Sequence, residues 1–434
     1  MSGVSDRPKI VLFDGPGGPF PEWFLPRLCA DYEVHVLWVP SGQVEKDAER
    51  SRAFDAHCSF SALSSQQNAL PEIVEFARSW EPAGILGFSE LAVTAVHAAA
   101  LQLGLPSNAP ESLRALRDKH QQREFLANAG VPVPRFASVH SLTGLRAAAD
   151  HVGTPAVLKP AAGVGSMATY SVTAGTDLAE LWKEAATRYE KDPRGTGTAH
   201  FVLEELLIGE NWHGDARYGN YASVESLVAD GVIHHLGVTD KFPLSEPFRE
   251  NGGIMPSVLP DARTELLLQC ASQAVAAMGI TNSAVHTEIM LTADGPRVIE
   301  VNSRIGGGVT EMLHHCYGYD VIQAMAAVAT GRSVPARGPL LRSTAFCVPQ
   351  SPAADVVLAA APALKDLLAL DVVDEAELSC EIGGRPQWER GTSGGTLARI
   401  VAVADSSEGL LDLADYLASD EAFSYRPCAA RVVE

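Results

Sequence analysis

Hydrophobic and polar positions along the chain divide it into recognisable elements. KIVLF (9–13) and VHVLWVP (34–40) are short apolar runs with a helical stretch between them, the pattern of a strand-helix-strand unit. AGILGF (83–88) continues a parallel sheet and feeds the helix of LAVTAVHAAALQLG. LPSNAPES (105–112) interrupts the periodicity with Pro and Asn, marking a boundary before a new helix near Glu111. That helix, RALRDKHQQREFLANAG, is expected to run unbroken to Gly130. Strands and helices then alternate to about residue 335, after which strands shorten and glycines multiply (EIGG, RGTSGG), as in a mainly β segment.

Two stretches alternate as hairpins. VLKPAAGVGS (157–166) is an apolar strand ending in Lys159, then a loop of small residues, and MATYSV follows like a returning strand. A phosphate-binding P-loop would end in Gly-Lys-Ser/Thr and open a helix. Neither is present, so this loop reads as a lid over phosphates. HTEIMLTADGPRVIEVNSRIGGG (286–308) turns at TADGP. With the loop centred on Asp294, Glu288 faces Glu300 and His286 faces Asn302. Opposed like charges destabilise a sheet. A divalent cation removes the conflict, since hard Mg²⁺ takes carboxylate and amide oxygens together with substrate phosphates. Arg304 lies two residues further along the same face.

Length and composition limit the remaining classes. The 434 residues call for two to four domains, and no apolar run approaches the ~18 residues of a membrane helix. The N-terminus lacks a basic and apolar leader, which points to the cytoplasm. A net charge of −20 without a basic stripe argues against nucleic acid. Seven scattered cysteines without Cys-x-x-Cys read as reduced thiols. DGPGGP (14–19) lacks the third glycine of a dinucleotide fingerprint, and no acidic residue closes the second strand. Glu311, His314, His315 and Cys316 share helical spacing, yet zinc needs three or four converging ligands and no partner motif appears, so packing roles are expected.

K-P-x-x-G-x-G-S, then E-E-L-L-x-G, then H-x-E followed by E-x-N-x-R-x-G-G, resembles the ATP-grasp carboxylate-amine ligases. ASVESLVADG, VTDK and IMPS bring it nearest the bacilysin-type L-amino acid ligases. The resemblance implies an α/β (α+β) ATP-grasp fold: a Rossmann-like N-terminal α/β domain (1–107), a catalytic domain (108–335) with a lid at about 133–207, and a mainly β C-terminal domain (336–434).

It further implies that Lys119, Lys159, Gly163, Gly165 and Ser166 meet ATP phosphates, and that Glu204, Glu205 and Leu207 form the adenine hinge. Glu288, Glu300 and Asn302 would hold Mg²⁺, with Mn²⁺ as an alternative to it. Arg304 and Lys241 would be catalytic, and Glu90, His286, Gly306, Gly307 and Gly308 would face substrate. For Glu90 a helix N-terminal carboxylate is an equal reading.

The implied reaction joins two amino acids through an acyl phosphate, releasing ADP and phosphate, in a homodimer. Other donors or acceptors, and a nucleotide binder without chemistry, are the alternatives. Two positions depart from the ligases: Gly253 stands where they carry a histidine, and Gly308 where some carry a bulky aromatic. The second departure implies an empty volume that admits an acceptor larger than alanine.

Overall fold

The computed structural model describes residues 7–15, 18–163, 165–192 and 198–428. The N-terminal tail, Pro16 and Gly17 of DGPGGP, and Val164 of the glycine loop therefore lie outside the described residues.

Four parallel strands form the first sheet: β1 (Lys9–Asp14), β2 (Glu33–Trp38), β3 (Ser59–Ala62) and β4 (Gly84–Leu86), in the order β3-β2-β1-β4. Helices α1 (Pro21–Asp31), α2 (Val44–Asp55), α3 (Ala69–Trp80) and α4 (Glu90–Gln102) alternate with them. The interior of β1 is wholly apolar because both faces of this sheet are covered.

The predicted continuous helix after residue 111 is broken. α5 (Ser112–Ala115) stops, and α6 (Lys119–Asn128) starts afresh at Asp118, whose carboxylate accepts from His120 N at 2.9 Å and Gln121 N at 3.0 Å. An aspartate there satisfies amides that the first helical turn leaves open. The break makes Lys119 the first residue of α6.

The segment expected as the lid carries its own four-stranded sheet, order β5-β8-β6-β7, from β5 (Phe136–Val139), β6 (Ala156–Pro160), β7 (Tyr170–Val172) and β8 (Phe201–Glu205). Helices α7 (Leu142–Val152) and α8 (Leu178–Lys191) close a separate core around Val139, Leu158 and Phe201. As predicted, β6 and β7 pair antiparallel around the glycine loop, although the returning strand is only three residues long.

The central sheet begins with β9 (Tyr221–Ala229), β10 (Val232–Lys241) and β11 (Gly252–Met255). After α9 (Asp261–Ala277) come β12 (Ser283–Thr292) and β13 (Gly295–Asn302), then α10 (Val309–Tyr317) and α11 (Val321–Ala329). Beyond residue 335 lie β14 (Ser343–Cys347), β15 (Val356–Ala360), β16 (Val373–Leu378), β17 (Ala398–Ala404) and β18 (Ser424–Pro427). Three of these five join the catalytic sheet, which runs β13-β12-β9-β10-β11-β14-β17-β16, so its hydrogen bonding crosses the 335/336 boundary.

Candidate active site

The opposed carboxylates are present. In the β12–β13 hairpin Glu288 pairs with Glu300 and His286 with Asn302. The route to that register differs from the one the sequence implied. The turn is the two-residue step between Thr292 and Gly295, and a bulge after Glu288, with Ile299 as the extra residue, restores the pairing. In an unbulged ladder continuing from Ile289–Val298, Glu288 would face Ile299. The carbonyl of Ile299 accepts a hydrogen bond from the Arg123 guanidinium.

Cations surround the pair. Lys119, placed by the Asp118 break, puts Nζ 2.7 Å from Glu300 Oε1 and donates to the Gly163 carbonyl at 2.9 Å. Lys159 reaches Glu204 Oε2 at 2.8 Å, and Arg123 donates to both oxygens of that carboxylate at 2.9 and 3.1 Å. Burial alone would push the Glu204 carboxyl up, but Arg123 and Lys159 outweigh it and hold the pKa at about 2. Glu300 is likewise held low against burial by Lys119 and Lys159.

On the other strand, His286 Nδ1 lies 2.7 Å from Glu225 and Nε2 lies 3.4 Å from Glu288. Burial disfavours its charged form, yet the Glu225 carboxylate raises the pKa to about 9, so His286 is an imidazolium at neutral pH. That cation, with Lys241 behind it, keeps Glu288 ionised despite burial. Lys241 itself sits 3.0 Å from Glu250. Arg304 donates from Nε to Glu90 Oε2 at 2.8 Å, joining the loop after β13 to the first residue of α4.

The lid is docked. Ser166 Oγ donates to the Phe248 carbonyl at 2.6 Å, and Thr392 N donates to the Gly165 carbonyl at 3.0 Å. Beneath it a cavity of about 230 Å³ is lined by Lys119, Lys159, Glu204, Glu288, Glu300 and Arg304. Gly163, Gly165, Ser166, Glu205, Leu207 and Asn302 also line it. The Ser166 hydroxyl, expected at a phosphate, here fastens the glycine loop to Phe248.

Glu90, Lys241, His286, Gly306, Gly307 and Gly308 do not line this cavity; Glu90 and His286 meet its wall through Arg304 and Glu288. Gly306 has a steric reason: a Cβ there would come within 2.5 Å of His286 Nδ1. Gly308 requires a correction. The volume beside it is filled, because a Cβ would fall 2.1 Å from Cγ of Phe346 on β14, and φ is +70°. Phe346 closes the space expected to be empty beside Gly308, so a bulky side chain there would disrupt packing.

Sequence reasoning missed Arg123, Glu225, Glu250 and Asn108. Glu225 did leave a signal, a lone acid in an otherwise buried strand. Asn108, fully buried, donates from Nδ2 to Ser303 Oγ at 3.2 Å and accepts from Thr281 N and Asn282 N, each at 3.0 Å. It thereby holds the residue between Asn302 and Arg304, a partnership that nothing in its local pattern announces.

Glu288, Glu300 and Asn302 form a hard oxygen donor set, and the Asn302 amide nitrogen is buried without a hydrogen-bond partner. The set fits Mg²⁺, a hard ion held by one or two carboxylates with further oxygen donors and with positions left for phosphate.

Opposed carboxylates, flanking lysines and a glycine loop are the kind of arrangement that nucleotide-dependent phosphoryl transfer uses. The sequence profile of the ATP-grasp domain matches residues 152–312. The alanine–anticapsin ligase of Bacillus subtilis strain 168 is 30% identical over 323 residues, covering 70% of this chain and 68% of that protein. Two further Bacillus alanine–anticapsin ligases are spanned over 57% of their length. The crystal structure of an L-amino acid ligase from Bacillus licheniformis superposes with a TM-score of 0.78 at 20% identity, covering 98% of this chain and all of that one. The MgADP-bound biotin carboxylase domain of a Hydrogenobacter thermophilus carboxylase aligns at a TM-score of 0.67 and 16% identity, over 96% of this chain and 90% of that one. The chain belongs to the ATP-grasp carboxylate-amine ligases and is an ATP-dependent enzyme of that class.

Proposed function

We propose that this ligase joins two L-amino acids into a dipeptide, and that the cavity under the glycine loop holds the phosphates of ATP. The observation that carries this reading is the convergence of Glu288, Glu300, Lys119, Lys159 and Arg304 on one wall. Phosphoryl transfer needs positioning and charge stabilisation more than covalent catalysis. Lys119 and Lys159 would neutralise phosphate oxygens, and Glu288, Glu300 and Asn302 would hold Mg²⁺. When bound, that ion would offset charge developing on the β and γ phosphates.

A carboxylate oxygen of the first amino acid takes the γ-phosphoryl group as its bond to the β-phosphate oxygen breaks, giving an acyl phosphate and ADP. The neutral amine of the second amino acid then attacks the acyl carbon, inorganic phosphate leaves with the bonding electrons, and the nitrogen gives up a proton to that phosphate. Arg304, steadied by Glu90, would stabilise oxyanion charge in both steps, and Glu90 would in turn attract a substrate ammonium. Lys241, fixed by Glu250, would add positive potential from behind.

Phosphate release from ATP and Mg²⁺ across a panel of amino acid pairs, with mass spectrometry of the products, tests the reading. A few pairs should give phosphate and a matching dipeptide. Silence with every pair, or phosphate without an amide product, would overturn the dipeptide assignment.

A further inference from the structure

The group Glu311, His314, His315 and Cys316 on α10 disperses in three dimensions. Glu311 is taken by Arg399, the His314 ring stands edge-on to Trp23 at 5.6 Å, and the Cys316 thiol donates to the Met255 carbonyl at 3.1 Å. His315 does find partners, and they lie nearly sixty residues away on β16. A ring nitrogen of His315 and carboxylate oxygens of Asp374 and Glu375 all lie within 4.8 Å of one another.

That convergence requires a backbone irregularity. Consecutive strand residues point to opposite faces. Here the pairing with β17 steps from Val373–Ala402 to Glu375–Val401, leaving Asp374 as the extra residue of a bulge. Bulges re-aim side chains, and this one brings two adjacent acids to one imidazole.

The grouping is costly for a bare protein. Arg399, the neighbouring cation, is already bound to Glu311 and so does not neutralise the two acids. His315 Nε2 is shielded from solvent and makes no hydrogen bond. It stands 3.4 Å from Asp374 Oδ2, beyond the ~2.8 Å of a charge-assisted hydrogen bond. Two ligands about 2.1 Å from one tetrahedral ion stand about 3.4 Å apart.

We propose that His315, Asp374 and Glu375 form a second metal site, for Zn²⁺, that clamps α10 to the edge strand β16. One imidazole nitrogen and two carboxylates suit a borderline-soft dication better than Mg²⁺, which avoids nitrogen ligands. Water would complete the coordination, since both acids are exposed. The site is separate from Glu288 and Glu300 and does not depend on the identity of the amino acids joined.

The test is calorimetric titration of Zn²⁺ into the full, tag-free chain in excess Mg²⁺ and ADP, comparing wild type with D374N/E375Q. Both carboxylates are on the surface, so the double variant should fold and retain ligase activity in zinc-free Mg²⁺ buffer. Wild type should bind one more Zn²⁺ per chain than the variant and gain a Zn²⁺-dependent rise in Tm that the variant lacks; H315A should match the variant. Equal zinc stoichiometry and equal Tm shifts in wild type and double variant would overturn the proposal.

Discussion

Arg304 Nε and Glu90 Oε2 meet at 2.8 Å although 214 residues separate them in sequence. The contact ties the N-terminal sheet to the end of the catalytic hairpin, and its carboxylate orients the guanidinium. Because a lysine has one point charge in place of a planar fork, Arg304→Lys should lower kcat by about 10²-fold, the scale of losing one oriented donor. Glu90→Gln should mainly raise the KM for an amino acid and leave that for ATP within twofold. Steady-state phosphate release checks both, and an unaltered kcat in Arg304→Lys would remove that residue from the catalytic assignment.

Glu288→Gln and Glu300→Gln should each abolish the Mg²⁺-dependent part of stabilisation by ADP. Ligands that bind only the folded state raise Tm by mass action, so wild type with ADP should melt higher when Mg²⁺ is added. Thermal melts with ADP, with and without Mg²⁺, provide the readout. A full Mg²⁺ increment in both variants would exclude these carboxylates as the metal site.

Asn108 acts through Ser303 on its neighbours Asn302 and Arg304. Asn108→Ala leaves buried partners unsatisfied, at a cost of about 1–3 kcal/mol, and should lower kcat about tenfold while the KM for ATP stays within twofold. A purely structural role would reduce the amount of folded enzyme without changing kcat per active site, which active-site titration distinguishes.

His97 makes stability depend on pH. It is buried in contact with Asn108, and desolvation lowers its pKa to about 4 from 6.5. The folded state therefore excludes a proton that the unfolded state accepts between these values, so stability is complete above 6.5, falls with pH towards 4 and levels off below. The loss amounts to about 3 kcal/mol. Denaturant titrations of wild type and His97→Gln from pH 7 to 4 should show a flatter profile in the variant. The Glu204 contribution is distinct: with its pKa held at about 2, it is lost only between 4.5 and 2.

Removing the lid fastener should loosen the glycine loop. Ser166→Ala deletes the hydrogen bond to Phe248, worth about 1 kcal/mol. Amide exchange across 161–169 should quicken several-fold in the nucleotide-free enzyme. Exchange at the wild-type rate would show that the hydroxyl does not hold the lid.

The local pattern determined much of this protein. Alternation around TADGP placed Glu288 opposite Glu300, because a strand's period of two and a short turn leave few registers, and small residues after Lys159 marked the loop between β6 and β7. Tertiary structure decided what local rules cannot carry. The bulge at Ile299 that rescues the register is held by Arg123 from another helix, Asp118 cuts a helix that periodicity would continue, and Phe346 fills the space beside Gly308 from a strand 38 residues on. Sequence records the preferences of each segment, whereas the partner that satisfies a buried charge or occupies a void is chosen by how the segments pack.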